Sequence, residues 1–166
     1  MSGEPFPRIS HDVPMNYWLM KTEPDECSID DALAAQRRIT PWTGVRNFQA
    51  RNYMRDQMRI GDGVLFYHSS CAEPGVAGLA EVASGAYTDP TQFDRKSDYY
   101  DPKSKQAAPL WVAVDVKALK KTPLVSIQEL KAHKALAGML TLRPGNRLSI
   151  TPVTRAEWDY ITGKLI

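Results

Sequence analysis

The order of apolar and polar positions divides the chain into short elements. "MNYWLMK" (15–21) carries large apolar side chains at adjacent as well as alternate positions, which predicts a strand buried on both faces. "TEPDE" ends it. Ser28 and Asp31 then have the spacing of a helix N-cap pair before "IDDALAAQ", a short helix. From Asn47 to Met58 the pattern becomes helical: Ala50, Met54 and Met58 share a core-facing sector, and Arg51, Arg55 and Arg59 fall in the neighbouring one, within roughly 80°. "IGDGVLFYHSS" (60–70) reads as a tight turn and a strand. "PGVAGLAEVASGAY" (74–87) reads as a second strand, with Gly78 and Gly85 marking a bulge or a close backbone approach. "LWVAVDVKALKKTP" (110–123) alternates as a third. Ser126-x-x-Glu129 and Thr154-x-x-Glu157 have capping-box spacing; the second opens a last helix expected to bury Trp158 and Ile161. "RLSITPV" (147–153) is a short strand between them. A polar stretch, 88–109, contains Phe93, Tyr99 and Tyr100, and loops of that length are usually functional or disordered. No repeat or linker divides the sequence. One domain is expected over residues 15–166, behind a flexible, proline-bearing leader at 1–14. Strands with short peripheral helices suit an α+β fold built on a curved or barrel-like mixed sheet.

Composition changes this picture little until charge is mapped locally. The 166 residues are 43% hydrophobic and 24% charged, as in an ordinary globular domain. No apolar run approaches the roughly 18 residues a membrane span needs, and the N-terminus lacks the apolar core of a signal peptide. No membrane association is expected. The protein is read as a cytoplasmic monomer, or as nuclear in a eukaryote. Cys27 and Cys71 match no redox or metal spacing and read as reduced, buried thiols. The three histidines are scattered, so no metal and no cofactor are expected. Net charge is only +2. Between Arg37 and Arg59, however, stand six arginines and one acid, Asp56, a local charge of +5.

That basic segment follows Trp42, which Pro41 and Gly44 bracket and so place in a loop. A ring beside cationic groups is the physics of nucleotide binding: the ring stacks on a base and the arginines hold phosphates. A base taken out of a duplex also needs polar groups to read its edge. Lys21, Thr22 and Glu23 end the first strand in a position to do so, and a carboxylate such as Glu23 accepts from an exocyclic amine. The pocket expected on these grounds comprises Lys21, Thr22, Glu23, Trp42, Thr43, Val45, Arg46, Asn47, His68 and Ser69, with Phe93, Tyr99 or Tyr100 as an opposite wall. Arg46, Arg51, Arg55 and Arg59 are the expected phosphate contacts. Two other readings compete. One is an enzyme acting on a modified nucleotide, with His68, Glu23 or Asp101 as acid or base. Against it, His68-Ser69-Ser70-Cys71 lacks a nucleophile elbow, and no phosphate-binding loop or dinucleotide fingerprint is present. The other is a small-molecule or protein-interaction module.

The motifs "NYWLMKTEPDECSIDD", "WTGVRNFQARNYMR", "GDGVLFYHSS", "EPGVAGLAEV", "TQFDRKSDYYDPKS" and "RLSITPVTRAEWDYI" together resemble the EVE domain, from about Met15 to Ile161. The resemblance implies a PUA-like curved mixed β-barrel with short flanking helices, kinship with YTH domains, and a non-catalytic reader of a modified base in DNA or RNA. In YTH domains a lysine–serine pair ends the first strand, and a tryptophan followed by a small hydroxyl residue forms one wall of an aromatic cage. Lys21-Thr22 and Trp42-Thr43 match those positions. The second cage tryptophan has no counterpart, because this sequence holds none between Thr43 and Leu110. Phe93, Tyr99 or Tyr100 must then supply that wall. Glu23 stands where the relative uses asparagine, which implies a different base edge.

Overall fold

The computed structural model describes residues 15–166; the leader expected over residues 1–14 lies outside the described residues. Seven strands form a mixed sheet: β1 (Tyr17–Thr22), β2 (Ile39–Trp42), β3 (Gly63–His68), β4 (Gly75–Val82), β5 (Tyr87–Thr88), β6 (Val112–Ser126) and β7 (Ile150–Val153). The hydrogen-bonded order is β2-β6-β4-β3-β1-β7, with β5 also on β6. β1 and β3 run parallel and the remaining pairs antiparallel. Among the described residues, five short α-helices flank the sheet: α1 (Pro24–Cys27), α2 (Ile29–Ala34), α3 (Phe48–Asn52), α4 (Ile127–Ala132) and α5 (Arg155–Tyr160). The class is α+β, as the sequence implies.

The strands at the centre are apolar on both sides because both faces of the sheet are covered. Trp18, Met20, Val64 and Phe66 belong to one buried cluster, with residues of α2, α3 and β2. Leu19, Leu65 and Tyr67 belong to the other, with residues of α4 and of the C-terminal segment. This is the period-2 alternation of a strand with no solvent face. Capping geometry sets the helix starts. Ser28–Asp31 and Thr154–Glu157 are reciprocal capping boxes, whereas at α4 the Ser126 hydroxyl accepts from the Glu129 N–H.

Several elements depart from the sequence reading. Trp42 is the last residue of β2, paired with Val114, and not a loop residue. Pro41 fits there because β2 is an edge strand with one neighbour, so a missing N–H leaves no ladder bond unmade. β6 runs past Pro123 to Ser126; its pairing with β4 shifts register between Val76 and Gly78, which leaves Pro123 out of the ladder. Gly78 marks that bulge: a Cβ there would sit 2.5 Å from Ile29 and 2.7 Å from the Lys120 carbonyl. Gly85 lies outside the strands with open space around it. Cys27 and Cys71 are unpaired thiols, half-buried and not fully enclosed. Trp158 is likewise half-buried, stacked on Tyr17 at 4.6 Å.

Candidate functional site

The parallel pair β1 and β3 ends in register, Thr22 opposite His68, and next to these ends lies a cavity of about 810 Å³. Lys21 and Thr22 of β1, the α1 N-cap Glu23, Glu26 and Cys27 of α1, Thr40 to Val45, Ser69, Ser70, Tyr99, Arg147 and Ser149 line it. Of the pocket residues expected from sequence, the structure therefore brings together Lys21, Thr22, Glu23, Trp42, Thr43, Val45, Ser69 and Tyr99. Arg46, Asn47, His68, Phe93 and Tyr100 do not line it. Asn47 is the N-cap of α3, its side chain accepting from the Ala50 N–H at 3.1 Å. His68 points to α2, where Nε2 accepts the Ile29 N–H at 3.0 Å; burial lowers its pKa. The groups weighed for acid–base chemistry do not meet: Glu23 lines the cavity, His68 is tied to Ile29, and Asp101 accepts the Trp111 indole N–H at 2.7 Å. Among the described residues, no three His, Cys, Asp or Glu side chains come together to hold a metal ion.

Trp42 is both core and wall. Its ring packs edge-to-face on Phe66 at 5.5 Å and borders the cavity, with 6% of its surface open. Tyr99 supplies an aromatic ring from the long polar segment, and Gly44 makes that placement possible. Gly44 has φ +83°, and a Cβ there would meet the Tyr99 ring at 2.8 Å. The Tyr99 hydroxyl donates to the Glu26 carboxylate at 2.5 and 2.7 Å. Burial and that bond push the phenol up to about 12, so it remains a donor at neutral pH. Lys21 lines the cavity with its ammonium 5.7 Å from the Tyr67 ring centroid and no carboxylate paired to it among the described residues; burial lowers its pKa. Ser70, on the rim, holds a left-handed backbone at φ +53°.

The arginines divide into two groups. Arg46 makes five hydrogen bonds inside the protein: to Tyr99 O at 3.0 and 2.7 Å, Val45 O at 2.9 Å, Asp89 at 3.0 Å and Thr91 at 2.9 Å. A guanidinium has five N–H donors, so none remains for a phosphate. Its guanidinium is half-buried beside the Tyr99 ring, 5.8 Å from the centroid, with its donors turned inward. Asp89 is the partner that single-sequence reading missed. It is fully buried, and burial alone would raise its carboxyl; hydrogen bonds from Thr91, Gly44 and Arg46 outweigh that and hold it low. Asp89 thus ties Gly44, just past the end of β2, to the segment that carries Tyr99. Gln92 does the rest: its buried amide bonds Asp89 O, Trp111 O and the N–H groups of Leu110 and Trp111, which organises the segment between β5 and β6. Nothing in a polar loop sequence marks either residue. Arg51, by contrast, is half-buried and bonded to Leu110 O at 3.0 Å; Arg55 and Arg59 are exposed, Arg55 paired with Asp56 at 2.8 Å.

Comparison with known proteins places this geometry in context. The EVE domain family profile matches residues 16–164. Thymocyte nuclear protein 1 of Mus musculus is 42% identical over 163 residues, 88% of this chain and 72% of that protein. Among solved structures, a Leishmania major protein is 46% identical with TM-score 0.85, covering 90% of this chain and 94% of that one. The human THYN1 protein in complex with 5-methylcytosine-containing DNA is 40% identical with TM-score 0.84, covering 89% and 96%. The YTH domain of Zygosaccharomyces rouxii MRB1 is 13% identical with TM-score 0.51, over 90% of this chain and 85% of that one, which shows a shared PUA-like fold.

Proposed function

The chain belongs to the EVE domain family, and we propose that it reads a modified base in DNA or RNA without performing chemistry on it. The observation that carries this reading is the cavity itself: a tryptophan wall, Trp42, facing a rim of polar side chains at the ends of β1 and β3. The base stacks between Trp42 and the Tyr99 side of the cavity. Lys21 donates to its acceptor edge, Glu23 accepts from an exocyclic amine, and the hydroxyls of Thr22, Thr43 and Ser69 complete the edge contacts. Arg55 and Arg59 meet phosphates, with Arg51 a partial contributor. Support for a modified pyrimidine as the first ligand to test comes from the human relative solved with 5-methylcytosine DNA.

Only 6% of Trp42 is open, so a base enters when the rim yields. The exposed Tyr99–Glu26 hydrogen bond, which joins the long segment to α1 beside the cavity, is the contact that yields. The test is a titration of short DNA and RNA strands carrying unmodified, C5-methylated, C5-hydroxymethylated and N6-methylated bases, at low and high salt, with Trp42→Ala alongside. At least tenfold tighter binding of one modified strand, about 1.4 kcal/mol, abolished by Trp42→Ala, is expected. Equal binding of all strands, unaffected by Trp42→Ala, would redirect attention to small molecules or protein partners.

A further inference from the structure

Outside the cavity, α3 carries an aromatic that neither the core nor the cavity uses. Phe48 is 53% open to solvent, although its ring stacks on Trp111 at 4.7 Å and 22°. Trp111 is a fixed support, buried and held through its indole N–H by Asp101 at 2.7 Å. From Phe48 an alternating ladder runs to the cavity. The Arg46 guanidinium lies 5.5 Å from the Trp111 ring and 5.8 Å from the Tyr99 ring, and Tyr99 lines the cavity. The Arg51 guanidinium, tied to Leu110 O at 3.0 Å, also sits 4.7 Å from the Phe48 centroid, yet more than half of the Phe48 surface stays open; exposed Arg55 is next along the same segment. Asp56 is the one acid between Phe48 and Arg59, and it is paired to Arg55.

We infer that Phe48 is a second stacking platform, which takes an unstacked base neighbouring the one held in the cavity. The inference rests on the base-reading function proposed above and adds a site to it. Every base has a π-face, so an exposed ring beside guanidinium groups binds a single strand with little sequence preference. Arginine at the ring adds a cation–π contact and meets the flanking phosphate. The ladder steps are each shorter than 6 Å, and successive nucleotides of a strand advance about 3.4 Å in a duplex and more when unstacked, so a strand reaches from the cavity to Phe48 in a few nucleotides. The two sites divide the work: the cavity selects the modification, and Phe48 adds affinity that ignores sequence. A ligand that engages both must be single-stranded or locally opened beside the modified base.

The test compares a modified mononucleotide with a short single strand carrying the same base at its centre. Wild type, Phe48→Ala, Phe48→Leu, Phe48→Trp and Trp42→Ala are titrated with each, with thermal melts as the folding control. Phe48→Ala and Phe48→Leu should weaken strand binding by about five- to tenfold, the order expected for one lost stacking contact. Phe48→Trp should restore it, and mononucleotide binding should stay unchanged in all three. Strand binding by Phe48→Ala equal to wild type, or an equal loss for the mononucleotide, overturns the platform. If wild type shows no preference for the modified base while Phe48→Ala still weakens the strand, the cavity reading falls and the platform stands.

Discussion

Replacing Gly44 by alanine separates two costs that usually arrive together. The backbone at Gly44 has φ +83°, where a side chain costs about 1–2 kcal/mol. Gly61 and Gly145 have φ +95° and +79° with nothing near the added Cβ, so alanine there carries the backbone cost alone. At Gly44 the same Cβ would also lie 2.8 Å from the Tyr99 ring, well inside ordinary contact, and the ring must move. Moving it breaks the Tyr99–Glu26 hydrogen bond, an exposed contact whose net worth is about 0.5–1.5 kcal/mol. Gly44→Ala should therefore cost about 1.5–2.5 kcal/mol, against roughly 1 kcal/mol for Gly145→Ala, once the gain from a stiffer unfolded chain is subtracted. Urea unfolding of the three variants, with Tyr99→Ala and the Gly44→Ala/Tyr99→Ala double mutant to complete the cycle, measures the difference. The double mutant should show positive coupling, because the clash is absent once the ring is gone. A Gly44→Ala loss no larger than Gly145→Ala, with additive energies in the double mutant, would refute the close approach of Tyr99.

Four further outcomes follow from the same geometry. Arg46→Ala should leave Asp89 buried without its cation and cost about 3–5 kcal/mol in urea unfolding, a stability loss that a surface phosphate contact would not produce. Arg55→Ala and Arg59→Ala should leave stability nearly unchanged but weaken binding to all strands alike, each lowering the slope of log affinity against log salt by about 1. Tyr99→Phe keeps the ring and removes the contact to Glu26, so stopped-flow binding should show faster base entry; a slower rate would contradict the rim's role. His68 has its pKa below the ordinary 6.5 because burial disfavours the imidazolium, and its neutral Nε2 accepts the Ile29 N–H. The stability it contributes is present above that ordinary value and is lost as pH falls through the lower folded value. Melting temperatures between pH 7.5 and 4.5 should fall less steeply in His68→Gln than in wild type.

The parts of this protein that were legible in its sequence are those set by local pattern. The two-sided apolar runs of β1 and β3 and the Ser28 and Thr154 caps are each fixed within a few residues. The segment Ala50–Met54–Met58 was legible for the same reason, although it is α-helical only to Asn52 and continues as a wider π-helical turn over Tyr53–Gln57. What escaped depends on distant partners. Pro41 and Gly44 signal a loop, yet Pro41 is tolerated in β2 because that strand lies at the sheet edge, a fact of topology. Arg46 is indistinguishable by type from Arg55, and only the arrival of Asp89, forty-three residues later, turns it inward. Gln92 reads as one more polar loop residue until its amide is seen bonding Asp89 O and the backbone of Leu110 and Trp111. Which of Phe93, Tyr99 and Tyr100 lines the cavity was likewise illegible, because it depends on which ring lies over Gly44.

The central claim is that a modified base leaves its stack and enters the cavity beside Trp42. A crystal structure of the protein with a short DNA duplex carrying one 5-methylcytosine tests it most directly. The methylated base is expected extruded against Trp42, with Lys21 and Glu23 on its edge and the Tyr99–Glu26 contact opened. A methylated base left paired within the duplex, with the cavity closed and the DNA bound elsewhere on the surface, would contradict it.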